Sequence, residues 1–295
     1  IKTHFQKYQN EEYFSGIGLA IGLKNHPIQS FYIGKVSRDL GSRHVDSHSL
    51  FQIGSITKSF TALAILQLVR QGKLHLSDPV SKYLPEYKKW GKTTIKQLLD
   101  MSSGLPNYSD SPAWNYAETK NIKRVWTKKQ LLAFVYPEKD FNPPIKTGYF
   151  YTNTGYLLAE KIVEKVAKKS FKDVLLQNII MPLKLRHTFY PIPDVAHTVK
   201  PHLMHGYAYN QYDNPGLLGK DVRLNNCNLL SYQEKNQLED LISLSSGKPI
   251  NHTTPDDPKG FGLGVIQAYS PSIGRFWYYQ GETLGFRALY MYTPC

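Results

Sequence analysis

"FQIGSITKSF", residues 51–60, sets a glycine, a serine and, three residues after the serine, a lysine at the head of a long apolar run. Ile56, Phe60, Leu63, Leu66 and Val69 recur every three or four positions, the spacing of a helix face, and Gly72 ends the pattern. Ser55 thus stands at a predicted helix start, with Lys58 beside it, because positions i and i+3 share a face. A serine hydroxyl is a poor nucleophile until a base takes its proton. The free N–H groups of a helix start can also stabilise an oxyanion. The same serine suits a plain helix N-cap, and the four residues alone leave both readings open. A second Ser-x-x-Lys, Ser245–Lys248 in "SSGKP", is broken by Gly247 and Pro249 and reads as a loop.

Outward from this helix the pattern changes twice. "GIGLAIGL" (16–23) and "SFYIGKVS" (30–37) read as short strands joined by a hairpin at "NHP". The middle is helical: "TTIKQLLDM" (93–101), "KKQLLAFVY" (128–136), "YTNTGYLLAEKIVEKVAKKS" (151–170) and "SFKDVLLQNIIMPL" (170–183). "FGLGVIQAY" (261–269), "RFWYYQG" (275–281) and "FRALYMYT" (286–293) are aromatic, β-branched runs that read as antiparallel strands. The expected class is α+β: an antiparallel sheet built from both chain ends, with flanking helices and a mostly helical insert. The 295 residues fit a single catalytic domain, its sheet part about 1–60 and 255–295 and its helical part about 61–254.

Composition narrows the partners. The net charge is +13, with lysines clustered at 88–92, 120–129 and 161–172. Such an excess suits an anionic partner such as a cell-wall polymer, or simply a solvated surface. No nucleic-acid motif accompanies it, so nucleic acid is not an expected partner. "ALAILQLV" (62–69) is too short to span a bilayer. The chain begins at Ile1 with no visible leader and reads as a mature form, periplasmic or secreted, whose export signal has been removed. Cys227 and Cys295 are too few for a disulfide framework and allow one optional bridge. "HVDSH" offers His44 and His48, and "HLMHGY" offers His202 and His205, but no ligand set of recognised spacing completes either. No metal and no cofactor is expected.

The whole stretch "LFQIGSITKSFTALAILQLVRQGKLHLSDPVSKYLPEY" resembles the active-site region of the serine β-lactamase and penicillin-binding family. It is most similar to the branch of D-alanyl-D-alanine carboxypeptidases, class C β-lactamases and related esterases. "TIKQLLDMSSGLPNY" (94–108), "FYTNTGYLLAEKIVEKV" (150–166), "PLKLRHTFY" (182–190) and "FGLGV" (261–265) resemble family landmarks in the same order. The resemblance implies that Ser55 is acylated by a small-molecule or peptide substrate, while Lys58 and Tyr151 manage its proton. A free tyrosine has a pKa near ~10, so it serves as a base at neutral pH only where a cation favours the phenolate. Lys58 is the candidate cation. Asn153 would hydrogen-bond the substrate amide, and the backbone N–H groups of Ser55 and Thr283 would form the oxyanion hole.

Two departures qualify the resemblance. The family's third motif, Lys-Thr-Gly or His-Thr-Gly, is matched here by Gln280-Gly281-Glu282 in "YYQGETLGF", which brings no cation to anchor a substrate carboxylate. If Gln280 faces Ser55, Glu282 leans toward the same side, since strand residues two apart share a face. Arg275 or Arg287 are the alternative cations. Near Asn226, about one family helix is missing. The expected activity is a penicillin-binding, carboxypeptidase-like serine hydrolase, with an esterase or β-lactamase as the alternative and a non-catalytic binding protein behind both.

Overall fold

The computed structural model describes residues 1–10, 14–121, 124–136, 147–190, 197–207, 241–283 and 286–293. The chain divides into two compact units: Ile1–Gly54 with His187–Leu229 and Gly281–Ala288, and Ser55–Arg186 with Leu230–Gln280 and Leu289–Cys295.

The first unit begins with helix α1 (Lys2–Tyr8) and the hairpin strands β1 (Gly16–Ile21) and β2 (Gln29–Gly34). Gly16 pairs with Gly34 and Ile21 with Gln29, so the turn falls over the expected "NHP". Gly34 has φ +86°, and a side chain there would collide with Phe5 and the Ser15 carbonyl, which explains the glycine. Val36, Val45, Met204 and Phe286 make this unit's core, with Phe51 packed against them.

The second unit is built around α2 (Thr57–Arg70), entered through a tight 3-10 turn, Gly54–Ile56. Its expected apolar stripe is only part of what is buried. Ala62, Ala64, Ile65 and Leu68 are covered as well as Phe60 and Leu66, whereas Leu63 and Val69 are only partly so. A helix apolar on all sides is a core helix. Burying Phe60, Ile65, Leu66 and Leu68 contributes ~1.5–3 kcal/mol each.

Helices α3 (Val80–Tyr83), α4 (Ile95–Leu99), α5 (Pro112–Lys120), α6 (Lys128–Ala133), α7 (Asn153–Ala167) and α8 (Phe171–Leu175) follow. Among them, α7 and α8 pack on α2. Thr94 and Thr127 start α4 and α6 with reciprocal capping boxes to Gln97 and Gln130.

The remaining strands are β3 (Leu241–Ser243), β4 (Pro249–Ile250), β5 (Lys259–Phe261), β6 (Ile266–Ser270), β7 (Gly274–Thr283) and β8 (Phe286–Tyr292). They form a six-stranded sheet in the order β4-β3-β5-β6-β7-β8, antiparallel at every described pairing. The α+β class therefore holds, with a difference in detail. Strands from the two chain ends form two sheets, because β1 and β2 close locally on each other and make no ladder with the C-terminal strands among the described residues. "FGLGVIQAY" is likewise two strands. Gly264, at φ +77°, turns the chain, and the Gly262 N–H closes on the Val265 carbonyl at 2.8 Å. That turn lies against α2: a Cβ at Gly264 would sit 2.7 Å from Ala62 Cβ and 3.0 Å from the Lys58 carbonyl. The segment near Asn226, Cys227 and Cys295 lie outside the described residues.

Candidate active site

Ser55 sits in the 3-10 turn and Lys58 in the first turn of α2. Residues three apart at a helix start share a face, which sets the two side chains side by side. The Lys58 ammonium donates to Ser55 Oγ at 2.9 Å and to Asn153 Oδ1 at 2.6 Å. It also lies 4.8 Å from the ring centre of Tyr151 and 5.6 Å from that of Tyr156. Lys58 is only 7% exposed. A buried ammonium persists where hydrogen bonds and aromatic faces replace its water. Ser55 Oγ and the Tyr151 hydroxyl are 2.5 Å apart, the length of a short O–H···O bond. Four sequence-predicted residues, Ser55, Lys58, Tyr151 and Asn153, thus meet in one hydrogen-bonded cluster.

The loop after α4 positions the last two. Phe150 N–H bonds the Met101 carbonyl at 2.9 Å, which fixes the approach to Tyr151. Asn107 Oδ1 accepts the Asn153 N–H at 3.0 Å, and Tyr108 N–H donates to Thr154 Oγ1 at 3.1 Å, so side chains from both segments tie the loop to the first turn of α7. Asn153 Nδ2 donates to Ser109 Oγ at 2.9 Å. These bonds settle the amide's orientation. Its oxygen must face the ammonium, so its NH2 points the other way and holds a second proton beyond the one given to Ser109. Asn107 and Ser109 were not anticipated from the sequence. Their signal was turn chemistry in "GLPNYSD", since short polar side chains bond nearby backbone and caps.

The strand matching the third motif is β7. β7 alternates, and Tyr279 is on its buried side at 2% exposed, while Gln280 is on the exposed side. Tyr279 packs edge-on to Phe261 at 5.7 Å, and Phe261 in turn meets Tyr149. Tyr279, one position before Gln280, is thus packed among the aromatic residues that include Tyr149. Glu282 is on the exposed side and lies 3.6 Å from Arg287. Thr283 Oγ1 donates to the buried Gln52 at 3.1 Å, and Gly54, at φ +49°, admits the Glu282 backbone where a Cβ would stand 2.7–2.8 Å from it.

Around Tyr151 the electrostatics are those of neutral phenols. Burial first, and the Tyr151 charge second, push Tyr108 up to about 12 and hold Tyr149 well above the usual tyrosine value. Tyr156 is also raised, by burial first, with its hydroxyl donated to the Leu99 carbonyl at 2.6 Å.

The other candidates fall elsewhere. Ser245 lies in a turn, its Oγ 2.8 Å from Asp257 and 3.0 Å from Ser243 Oγ. His48 stands 6.4 Å from the rings of both His187 and His202, and His205 lies beside Asp39. Among the described residues no group of three or more His, Cys, Asp or Glu is placed to hold a metal. No described helix is long and apolar enough to cross a membrane.

The Beta-lactamase family model matches residues 1–295. The chain is 28% identical over 217 residues to a penicillin-binding protein of Bacillus subtilis (strain 168), covering 72% of this chain and 44% of that protein. It is 33% identical over 164 residues to a teichoic acid D-alanine hydrolase of Staphylococcus aureus, covering 55% of this chain and 37% of that one. The chain thus spans less than half the length of these curated relatives. Among solved structures, the octameric penicillin-binding protein homologue from Pyrococcus abyssi superposes with a TM-score of 0.74 at 23% identity, over 99% of this chain and 70% of that one.

Proposed function

Because the chain belongs to the β-lactamase family of serine hydrolases, we propose that it hydrolyses D-alanyl acyl donors through an acyl-enzyme on Ser55, as a penicillin-binding, carboxypeptidase-like peptidase. The cluster in which Ser55 Oγ lies 2.5 Å from Tyr151 and 2.9 Å from Lys58 carries this reading. In the proposed reaction Tyr151, with Lys58 beside it, takes the Ser55 proton as Oγ bonds the substrate carbonyl carbon. The Ser55 N–H holds the oxyanion, a contribution of ~3 kcal/mol for such a donor. The proton passes to the leaving group, and water then attacks the acyl-enzyme by the reverse route. Asn153 Nδ2 orients the substrate carbonyl.

A second reading, ester hydrolysis, draws support from the strand of the third motif. A buried phenol at Tyr279 and an exposed Gln280 offer no cation to a substrate carboxylate. An O-D-alanyl ester on a wall polymer carries no such carboxylate, and one relative is a teichoic acid D-alanine hydrolase. The basic surface suits an anionic cell-wall polymer as partner, and with it a periplasmic or secreted setting.

Incubation with a fluorescent penicillin and with a p-nitrophenyl ester, followed by mass spectrometry of the peptides, tests both. Adduct on the Ser55 peptide is expected from at least one. No adduct with either, under turnover or quenched conditions, refutes the acyl-enzyme, and adduct from the ester alone selects the second reading.

A further inference from the structure

We propose that Tyr279 is a positioning residue of this site: its hydroxyl is the neutral hydrogen-bond donor to the Tyr151 oxygen in the deprotonated, base-competent state. The inference rests on the reading of Ser55 and Tyr151 given above. Tyr279 is 2% exposed; its buried hydroxyl makes no well-formed hydrogen bond, and the side chain that acts on it as a hydrogen-bonding neighbour is Tyr151. Buried polar atoms are almost always bonded, so an orphan calls for an explanation.

The neighbourhood supplies one. After burial itself, the charge of Tyr151 acts on Tyr279 most strongly, ahead of Tyr156 and Tyr149. Tyr156 is committed to the Leu99 carbonyl. The Tyr151 oxygen lies 2.5 Å from Ser55 Oγ and has lone-pair capacity left. When Tyr151 is a phenolate, that capacity faces a donor with nothing else to bond. Burial and the surrounding hydroxyls hold the Tyr279 phenol well above its ordinary value, so it stays protonated and remains a donor. The other titratable groups around Tyr151 are Lys58, Tyr108, Tyr149 and Tyr156. Three of those four are phenols, each raised above its ordinary value by burial first.

Tyr279→Phe removes the hydroxyl and nothing else. A merely structural orphan and a positioning donor then part ways. In either case the thermal midpoint should hold or rise, because an unpartnered buried O–H is gone. Only a positioning donor predicts that kcat/KM for an activated ester falls about tenfold at neutral pH and that the acid limb of its pH profile moves up by about one unit. 3-Fluorotyrosine at position 151, followed by 19F NMR, reads the same ionisation without turnover, and its midpoint should move up to a similar extent in Tyr279→Phe. An unmoved midpoint overturns the proposal whether or not the protein is active. A moved midpoint with no Ser55 adduct would instead strike the catalytic reading alone. Tyr279→Leu, a second variant without the donor, gives the same comparison should Tyr279→Phe fail to fold.

Discussion

Lys58 is the residue on which the site turns. Its ammonium is largely out of water, and two of its three donors are spent on Ser55 and Asn153. The serine and lysine were legible because their spacing alone puts them on one face. Ser109 and Tyr279 were not, since each acts through a contact distant in sequence. Asn153 reaches Ser109 across 44 residues, and Tyr279 comes from a strand whose register decides which neighbour is buried. If Tyr151 is the base, Tyr151→Phe lowers turnover by ~10²–10⁴ with an unchanged thermal midpoint. Turnover within twofold of wild type would remove it from the mechanism. In the same labelling assay Ser245→Ala leaves the adduct in place, since Ser245 is bonded to Asp257 in a turn.

At the scale of elements, helix starts and tight turns aim the side chains. Gly54 and Gly264 bracket the entry of α2, one admitting the Glu282 backbone and the other lying against Lys58 and Ala62. Both have positive φ, which the sequence hints at only by being glycine. Asp78 gathers the connection from α2 to α3. It accepts from the His75 N–H at 2.8 Å, Lys82 at 2.7 Å and Tyr83 at 2.6 Å. Burial works to raise its pKa, but these hydrogen bonds outweigh it and bring the carboxyl to about 2, below the usual 3.8. A depressed carboxylate stabilises the fold above its unfolded pKa and loses that stabilisation as pH falls through the folded value. Asp78→Asn should therefore be less stable than wild type by about 1 kcal/mol at pH 7, the scale of a partly exposed ion pair. The gap should close between pH 4 and 2 in urea melts. A gap that persists at pH 2 would mean that packing, not charge, sets it.

For the whole molecule, the charge of +13 is the property that no single element explains. Lys165, Lys168 and Lys169, exposed around the end of α7, are part of it. If this surface holds an anionic wall polymer, retention on immobilised polyanion should fall steeply as salt shortens the screening length from ~10 Å at 0.1 M to ~3 Å at 1 M. Changing those three lysines to Glu should weaken retention at low salt and leave hydrolysis of a small neutral ester alone. Retention indifferent to both would leave the charge as plain surface solvation. The sequence by itself determined the α+β class, the hairpin, the helix bearing Ser55 and Lys58, and the family resemblance, because these rest on local periodicity and on motifs a few residues long. Only the tertiary structure decided that the strands group into two sheets, that Asn107 and Ser109 hold Asn153, and that Tyr279 is the buried residue of its strand beside Gln280. Pairing partners, strand register and long-range hydrogen bonds depend on which segments meet, and the spacing of residues along a chain does not record that.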